Sequence, residues 1–225
     1  MNAPTSLIEQ SRFNMVEQQI RPANVLDPLV LDTLLKLPRE RFVPARYQNL
    51  AFSDLEIPLE VNGIDTHETM LAPKTEARLA QDLQLKPDDS ALEIGTGSGY
   101  QAALLSQLCS QVVSVEIDTH IAAFATENLQ REKITNVKVE IGDGRAGWGS
   151  AEYNAILVTG SLPNIPDSLK YQLTIGGRLV AIVGQAPVMT AVRITRSSAA
   201  SFETESLFET CIKPLRGTTV SHFKF

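Results

Sequence analysis

The stretch Ala91-Leu92-Glu93-Ile94-Gly95-Thr96-Gly97-Ser98-Gly99-Tyr100 decides the fold: an apolar strand runs into a glycine-rich turn and on into the helical stretch Gln101 to Leu108. Gly95, Gly97 and Gly99 carry no Cβ, so the backbone there can take positive φ and let a ligand come close. The following helix offers unpaired N–H groups and a partial positive charge at its N-terminus. Such a turn suits a nucleotide. The dinucleotide fingerprint G-x-G-x-x-G needs its third glycine three residues after the second. Tyr100 stands there and the third glycine falls one residue early, which argues against NAD or FAD. No G-K-[ST] ending follows, so a phosphate-cradling P-loop is not indicated. Glu93, two residues before the first glycine, would repel a pyrophosphate and fits a cationic or zwitterionic ligand better.

Two more landmarks follow in order. Val112-Val113-Ser114-Val115-Glu116-Ile117-Asp118 reads as the next strand, ending in an acid at about the spacing where a carboxylate holds ribose hydroxyls. Val137-Lys138-Val139-Glu140-Ile141 then runs into Gly142-Asp143-Gly144, an acid between two glycines. The pattern E-x-G-x-G-x-G with these landmarks resembles the class I methyltransferases that use S-adenosyl-L-methionine and release S-adenosyl-L-homocysteine. The resemblance implies cofactor contacts at Gly95, Thr96, Gly97, Ser98, Gly99, Ile117, Gly142, Gly144 and Met70. It gives Glu116 to the ribose hydroxyls and Asp143 to the adenine amino group, where a turn-forming Asp is the alternative. Glu93 either meets the cofactor or orients the glycine turn from behind.

The rest of the composition narrows the setting. A chain of 225 residues fits one domain with an ample core. The net charge is −6 with no Lys/Arg block or basic stripe, so no nucleic-acid footprint is signalled. Cys109 and Cys211 lie far apart in apolar stretches and read as buried free thiols, which suits a reducing cytoplasm. His67, His120 and His222 show no metal-ligand spacing, and no metal is expected. No apolar run approaches a membrane span and no signal-peptide pattern opens the chain, so a cytoplasmic location is expected. The oligomeric state stays open, with a monomer favoured.

Ser6-Leu7-Ile8-Glu9 is a capping-box pattern, and Ile8, Met15, Val16 and Ile20 recur at near-helical spacing up to Arg21-Pro22. Asp27-Pro28 opens a second helix through Leu29 to Leu37. Ile57-Pro58-Leu59 reads as irregular or short-stranded, so residues 1–73 are expected to form a helical extension with a lid-like acceptor loop. The core, residues 74–225, then alternates. A helix over Thr75 to Leu85 precedes strand Ser90 to Ile94, helix Gln101 to Leu108, strand Val112 to Glu116, helix Thr119 to Arg131 and strand Val137 to Ile141. Strand Ala155 to Thr159, helix Asp167 to Leu173 and strand Arg178 to Val183 complete a βαβ series, with Thr190 to Thr195 and Ser206 to Ile212 as a closing antiparallel hairpin. The fold class is α/β, a Rossmann-like doubly wound and mostly parallel sheet, for which the resemblance implies seven strands.

Met15-Val16-Glu17-Gln18-Gln19-Ile20, Leu37-Pro38-Arg39-Glu40-Arg41-Phe42-Val43-Pro44, Ala155-Ile156-Leu157-Val158-Thr159 and Leu173-Thr174-Ile175-Gly176-Gly177-Arg178-Leu179-Val180 narrow the likeness. With the glycine turn and Gly142-Asp143-Gly144, they resemble the protein-L-isoaspartate O-methyltransferase family in order from about Phe13 to Arg196. That family carries an acceptor run Gly-Gln-Thr-Ile-Ser-Gln-Pro whose serine is taken to be catalytic. Here Gly63 to Pro73 is a few residues longer, and alignment on Pro73 puts Leu71 at the serine, where no hydrogen bond can be donated. Thr66 or Thr69 would supply the hydroxyl, with Thr69 the catalytic candidate, unless both satisfy loop backbone groups. Thr159 either lines the acceptor side or simply closes its strand.

The resemblance implies methylation of the carboxylate of L-isoaspartyl residues in damaged proteins or peptides, a repair reaction. A carboxylate is already ionised near neutral pH, with a reference pKa of about 4, so the reaction requires alignment rather than a strong base. Two other readings remain: the same cofactor with a different acceptor, and a cofactor-binding regulatory protein that transfers nothing.

Overall fold

The computed structural model of the protein describes residues 6–218; His222 lies outside the described residues. Ser6 caps α1 (Leu7–Met15) through the expected capping box, its Oγ accepting from the Glu9 N–H at 3.2 Å while the Glu9 carboxylate accepts from the Ser6 N–H. Past Met15 the helix widens into a π turn over Val16–Ile20 and a 3₁₀ turn over Arg21–Ala23, and left-handed Asn24 ends it. Asp27 caps α2 (Pro28–Lys36), its carboxylate accepting from the Leu29 and Val30 N–H groups.

The expected acceptor loop is largely a β-hairpin instead. β1 (Ile57–Val61) pairs antiparallel with β2 (Ile64–Met70) around Asn62 and Gly63, both at positive φ (52° and 76°), as a two-residue hairpin turn requires. The register slips between Pro58 and Glu60, and β2 bulges near His67, also at positive φ. The bulge absorbs the extra residues of this segment. α3 (Pro73–Asp82) begins at the N1 proline, two residues before the expected start, because Pro73 has φ preset for a first turn.

β3 (Ser90–Ile94), α4 (Tyr100–Ser106), β4 (Gln111–Glu116), α5 (Thr119–Arg131) and β5 (Val137–Ile141) follow, then β6 (Tyr153–Leu162), α6 (Asp167–Tyr171) and β7 (Leu173–Gln185). β8 (Val188–Arg196) and β9 (Phe202–Thr210) close the sheet as antiparallel strands, longer than the sequence suggests. The seven strands run β5-β4-β3-β6-β7-β8-β9, parallel through β7. Central strands β3 and β6 are buried on both faces, as a sheet covered by helices on both sides demands. On one face Met15, Ile20, Leu34 and Phe42 of the N-terminal segment share a cluster with Leu79, Leu104, Val112 and Ile182. Leu92, Ile156, Val158, Leu169 and Leu179 pack together on the other. The N-terminal elements are thus built into the core.

Cys109 is buried, and burial pushes its thiol up to about 11. Cys211, expected to be buried, is exposed, because it follows edge strand β9, which has no neighbour on its outer side. Among the described residues no helix is long and apolar enough to cross a membrane.

Candidate active site

The strand order reverses between β3 and β6, and a cleft opens beyond their carboxyl ends, where open α/β sheets hold ligands. Its open space is about 900 Å³, mouth included. The floor is the glycine turn. Gly95 donates its N–H to Val115 O at 2.8 Å and has φ 96°; a Cβ there would collide with Thr159 Oγ1. That hydroxyl stands 2.6 Å from Gly95 O and 2.9 Å from Ile94 O, so Thr159 shores up the turn from β6, which runs on to Leu162. Gly95, Thr96, Gly97 and Ser98 line the cleft. Gly99 is not among its lining residues; it turns at φ 82° against Ala125 of α5, and a Cβ would sit 3.2 Å from Ala125 O.

Glu116 ends β4 at the cleft. Its Oε2 accepts from the Gly97 N–H at 3.0 Å and its Oε1 from the Asp118 N–H at 3.1 Å, which ties the second strand to the glycine turn. Burial raises its pKa against those hydrogen bonds. Glu93 lies behind the turn, fully buried and outside the cleft lining. Ser114 Oγ donates to Glu93 Oε2 and stands 2.6 Å from Thr96 Oγ1, so a buried polar chain joins Glu93 to the turn. Burial pushes the Glu93 carboxyl up to about 8, and its Oε1 has no partner. Glu93 thus stands behind the turn rather than in the cleft lining.

Gly142, Asp143, Gly144 and Ile117 line the far wall. Asp143 is gripped by Arg145, with Nη2–Oδ2 at 2.7 Å and Nε–Oδ1 at 3.0 Å; this hydrogen-bonded pairing holds its carboxyl below the usual range. The Asp143–Arg145 pair is two residues apart and so was within reach of a sequence reading, which overlooked it.

On the acceptor side Thr69, Met70 and Leu71 line the cleft together with Glu76 and Gln101. Thr66 does not: its buried hydroxyl donates to Leu59 O at 2.6 Å inside the hairpin. Thr69 Oγ1 donates to Glu56 Oε2 at 2.7 Å. Beneath Leu71, fully buried Arg39 pairs with Glu76 and donates to Leu71 O at 2.7 Å and Ala51 O at 2.9 Å. Tyr100 lies under the same guanidinium, 4.8 Å from ring centroid to Cζ. Burial raises Glu76, with Arg39 pulling the other way.

A fourth wall has no counterpart in the sequence reading. The segment Lys213–Arg216 lies along the end of β6, with Ser161 N–H donating to Lys213 O at 3.0 Å and Leu215 N–H to Ser161 O at 3.1 Å. Lys213, Pro214, Leu215 and Arg216 all face the cleft. Lys213 and Arg216 both pair with Glu68.

The residues fit a sulfonium nucleoside. Glu116, Asp143 and Glu68 bring carboxylates to the cleft, and among the described residues the cations that line it, Arg145, Lys213 and Arg216, are each paired with one of these carboxylates. Among the described residues no group of three His, Cys, Asp or Glu is placed to hold a metal.

The sequence profile described as protein-L-isoaspartate(D-aspartate) O-methyltransferase matches residues 10–219. A protein-L-isoaspartate O-methyltransferase of Protochlamydia amoebophila is 42% identical over 205 residues, covering 90% of this chain and 95% of its own length. One of Methanoculleus marisnigri is 41% identical over 209 residues, covering 92% of each. Among solved structures, a protein-L-isoaspartate O-methyltransferase superimposes with a TM-score of 0.76 at 26% identity, over 92% of this chain and 66% of that one. A Plasmodium falciparum protein solved with S-adenosyl-L-homocysteine shares the fold, with a TM-score of 0.74 at 21% identity over 91% of this chain and 98% of its own.

Proposed function

Because the chain belongs to the protein-L-isoaspartate(D-aspartate) O-methyltransferase family of S-adenosyl-L-methionine-dependent enzymes, we propose that it methylates the free carboxylate of L-isoaspartyl residues in damaged proteins or peptides, as a cytoplasmic repair enzyme. The observation that carries this reading is the cleft at the strand-order reversal, which joins a carboxylate-held glycine turn to an acceptor wall built by the family's N-terminal segment.

Bound S-adenosyl-L-methionine supplies a methyl group on a positively charged sulfur, which an ionised oxygen takes without help from a base. Glu116 presents the ribose-binding carboxylate from its bridge between Gly97 and Asp118, and Gly95 to Ser98 bring bare backbone against the ligand. Asp143, fixed by Arg145, and Gly142, Gly144 and Ile117 bound the adenine side, and Met70 meets the cofactor from the acceptor side. Glu93 holds the turn in shape through Ser114 and Thr96. Thr69 lines the acceptor side, but its one hydroxyl hydrogen is committed to Glu56, so it would serve the acceptor as the family's serine does only by giving up that bond; Leu71 lines the cleft beside it. Holding the two reactants in line is worth on the order of 7 to 11 kcal/mol, and this is the work left to the protein when no proton has to move.

Repair is tested on an aged peptide. Incubation with the enzyme and S-adenosyl-L-methionine should lower the isoaspartyl content and raise the normal aspartyl form, followed chromatographically. An unchanged ratio with ester formation absent would contradict repair. Leu71 at the family's serine position favours a second reading, the same cofactor with another acceptor, and that reading gains if isoaspartyl peptides stay unmodified while the cofactor binds.

A further inference from the structure

The cleft lacks the family's serine hydroxyl, yet it already holds a carboxylate. Glu68 of β2 reaches into it, with Oε2 2.9 Å from Lys213 Nζ and Oε1 2.8 Å from Arg216 Nε. Two cations on two oxygens is how a protein grips a ligand carboxylate. We propose that Lys213 and Arg216 form the subsite for the acceptor carboxylate, and that Glu68 occupies this subsite until an isoaspartyl carboxylate displaces it. The inference rests on the isoaspartyl reading above.

Three observations carry it. Arg216 does not depend on Glu68 for its place: its Nη1 pairs with Asp118 Oδ2 at 2.8 Å and its Nη2 donates to Thr66 O at 2.9 Å. The segment is pinned by backbone hydrogen bonds to Ser161, and Leu215 between the two cations lies against Gly95 and Gly160, so the pair stands beside the cofactor turn. Lys213 and Arg216 side chains are 41% and 38% exposed, open to a peptide arriving from solvent, whereas Glu68 sits next to the bulge at His67, where the hairpin ladder is already broken. The arrangement also discriminates product from substrate. A methyl ester carries no charge, so Glu68 recovers its place as the ester leaves.

The test is binding of a fluorescent isoaspartyl peptide and of its methyl ester, each in the presence of S-adenosyl-L-homocysteine. It compares the wild type, Glu68→Gln and the double variant Lys213→Ala/Arg216→Ala, with calorimetric S-adenosyl-L-homocysteine binding as the check on folding. The wild type should prefer the carboxylate over the ester, and the double variant should lose that preference by about tenfold. Glu68→Gln should tighten carboxylate binding about three- to tenfold and leave the ester unchanged, a gain that a merely structural latch would not give. The inference is overturned if the double variant keeps the wild-type preference, or if Glu68→Gln weakens both peptides. Should the wild type bind S-adenosyl-L-homocysteine but neither peptide, the isoaspartyl reading itself fails, and the subsite falls with it.

Discussion

The guanidinium of Arg39, from the N-terminal segment, donates to the backbone carbonyl of Leu71, the residue at the family's serine position, at 2.7 Å. One buried side chain thus couples the N-terminal extension, the start of α3 through Glu76 and the acceptor wall. Breaking a buried pair leaves an uncompensated charge and costs about 3 to 5 kcal/mol, whereas replacing both partners with apolar groups costs far less. Arg39→Met should therefore lower stability by that amount in chemical denaturation, and Arg39→Met/Glu76→Leu should recover most of it. The double variant should still show a raised KM for the acceptor, because Leu71 has lost its tether. A normal KM would show that the tether does not place the acceptor wall.

Glu116 joins the second strand to the glycine turn through Gly97. Hydrogen bonds to a charged group are each worth about 1.5 to 3 kcal/mol. Glu116→Ala should weaken S-adenosyl-L-homocysteine binding by about ten- to a hundredfold by calorimetry, and unchanged affinity would remove Glu116 from the cofactor site.

Leu71→Ser restores the family's residue beside a subsite that already has Lys213 and Arg216. One added hydrogen bond to an ionised carboxylate is worth about 1.5 to 3 kcal/mol, so kcat/KM on an isoaspartyl peptide should rise about ten- to a hundredfold. A fall in kcat/KM in folded protein would mean that the cleft is shaped around the leucine.

Glu93 gives a pH signature. Burial lifts its carboxyl from 4.5 to about 8, so the folded state binds the proton more tightly than the unfolded chain. Its contribution is full below about pH 4.5 and is lost as pH rises through 8, a change of a few kcal/mol. Glu93→Gln stays neutral and should lack that loss. Denaturation curves at pH 5 and pH 8.5 should therefore diverge, the wild type losing more stability than the variant between them. Parallel behaviour would show that Glu93 is ionised throughout.

The glycine turn and the acids after the next two strands were legible because each signal is local: a strand, a turn that needs missing Cβ atoms and a carboxylate at a strand end. The hairpin was legible too and was overlooked. Asn62-Gly63 between Ile57, Leu59, Val61 and Ile64 is a hairpin signal, obscured by Asp65, His67 and Glu68, which break the alternation after the turn. The fourth wall was not legible. Lys213 and Arg216 meet Glu68 and Asp118 from about a hundred residues or more away in the chain, and no spacing rule records such a meeting. Nor could spacing show that Thr66 serves the hairpin while Thr69, three residues on, faces the cleft.

The most direct test of the account is methyl transfer itself. The purified protein is incubated with methyl-labelled S-adenosyl-L-methionine and an isoaspartyl peptide, beside the same peptide with normal aspartate, and base-labile label is counted in each. Label on the isoaspartyl peptide alone is the predicted result. Label on neither peptide, from protein that binds the cofactor, would contradict it.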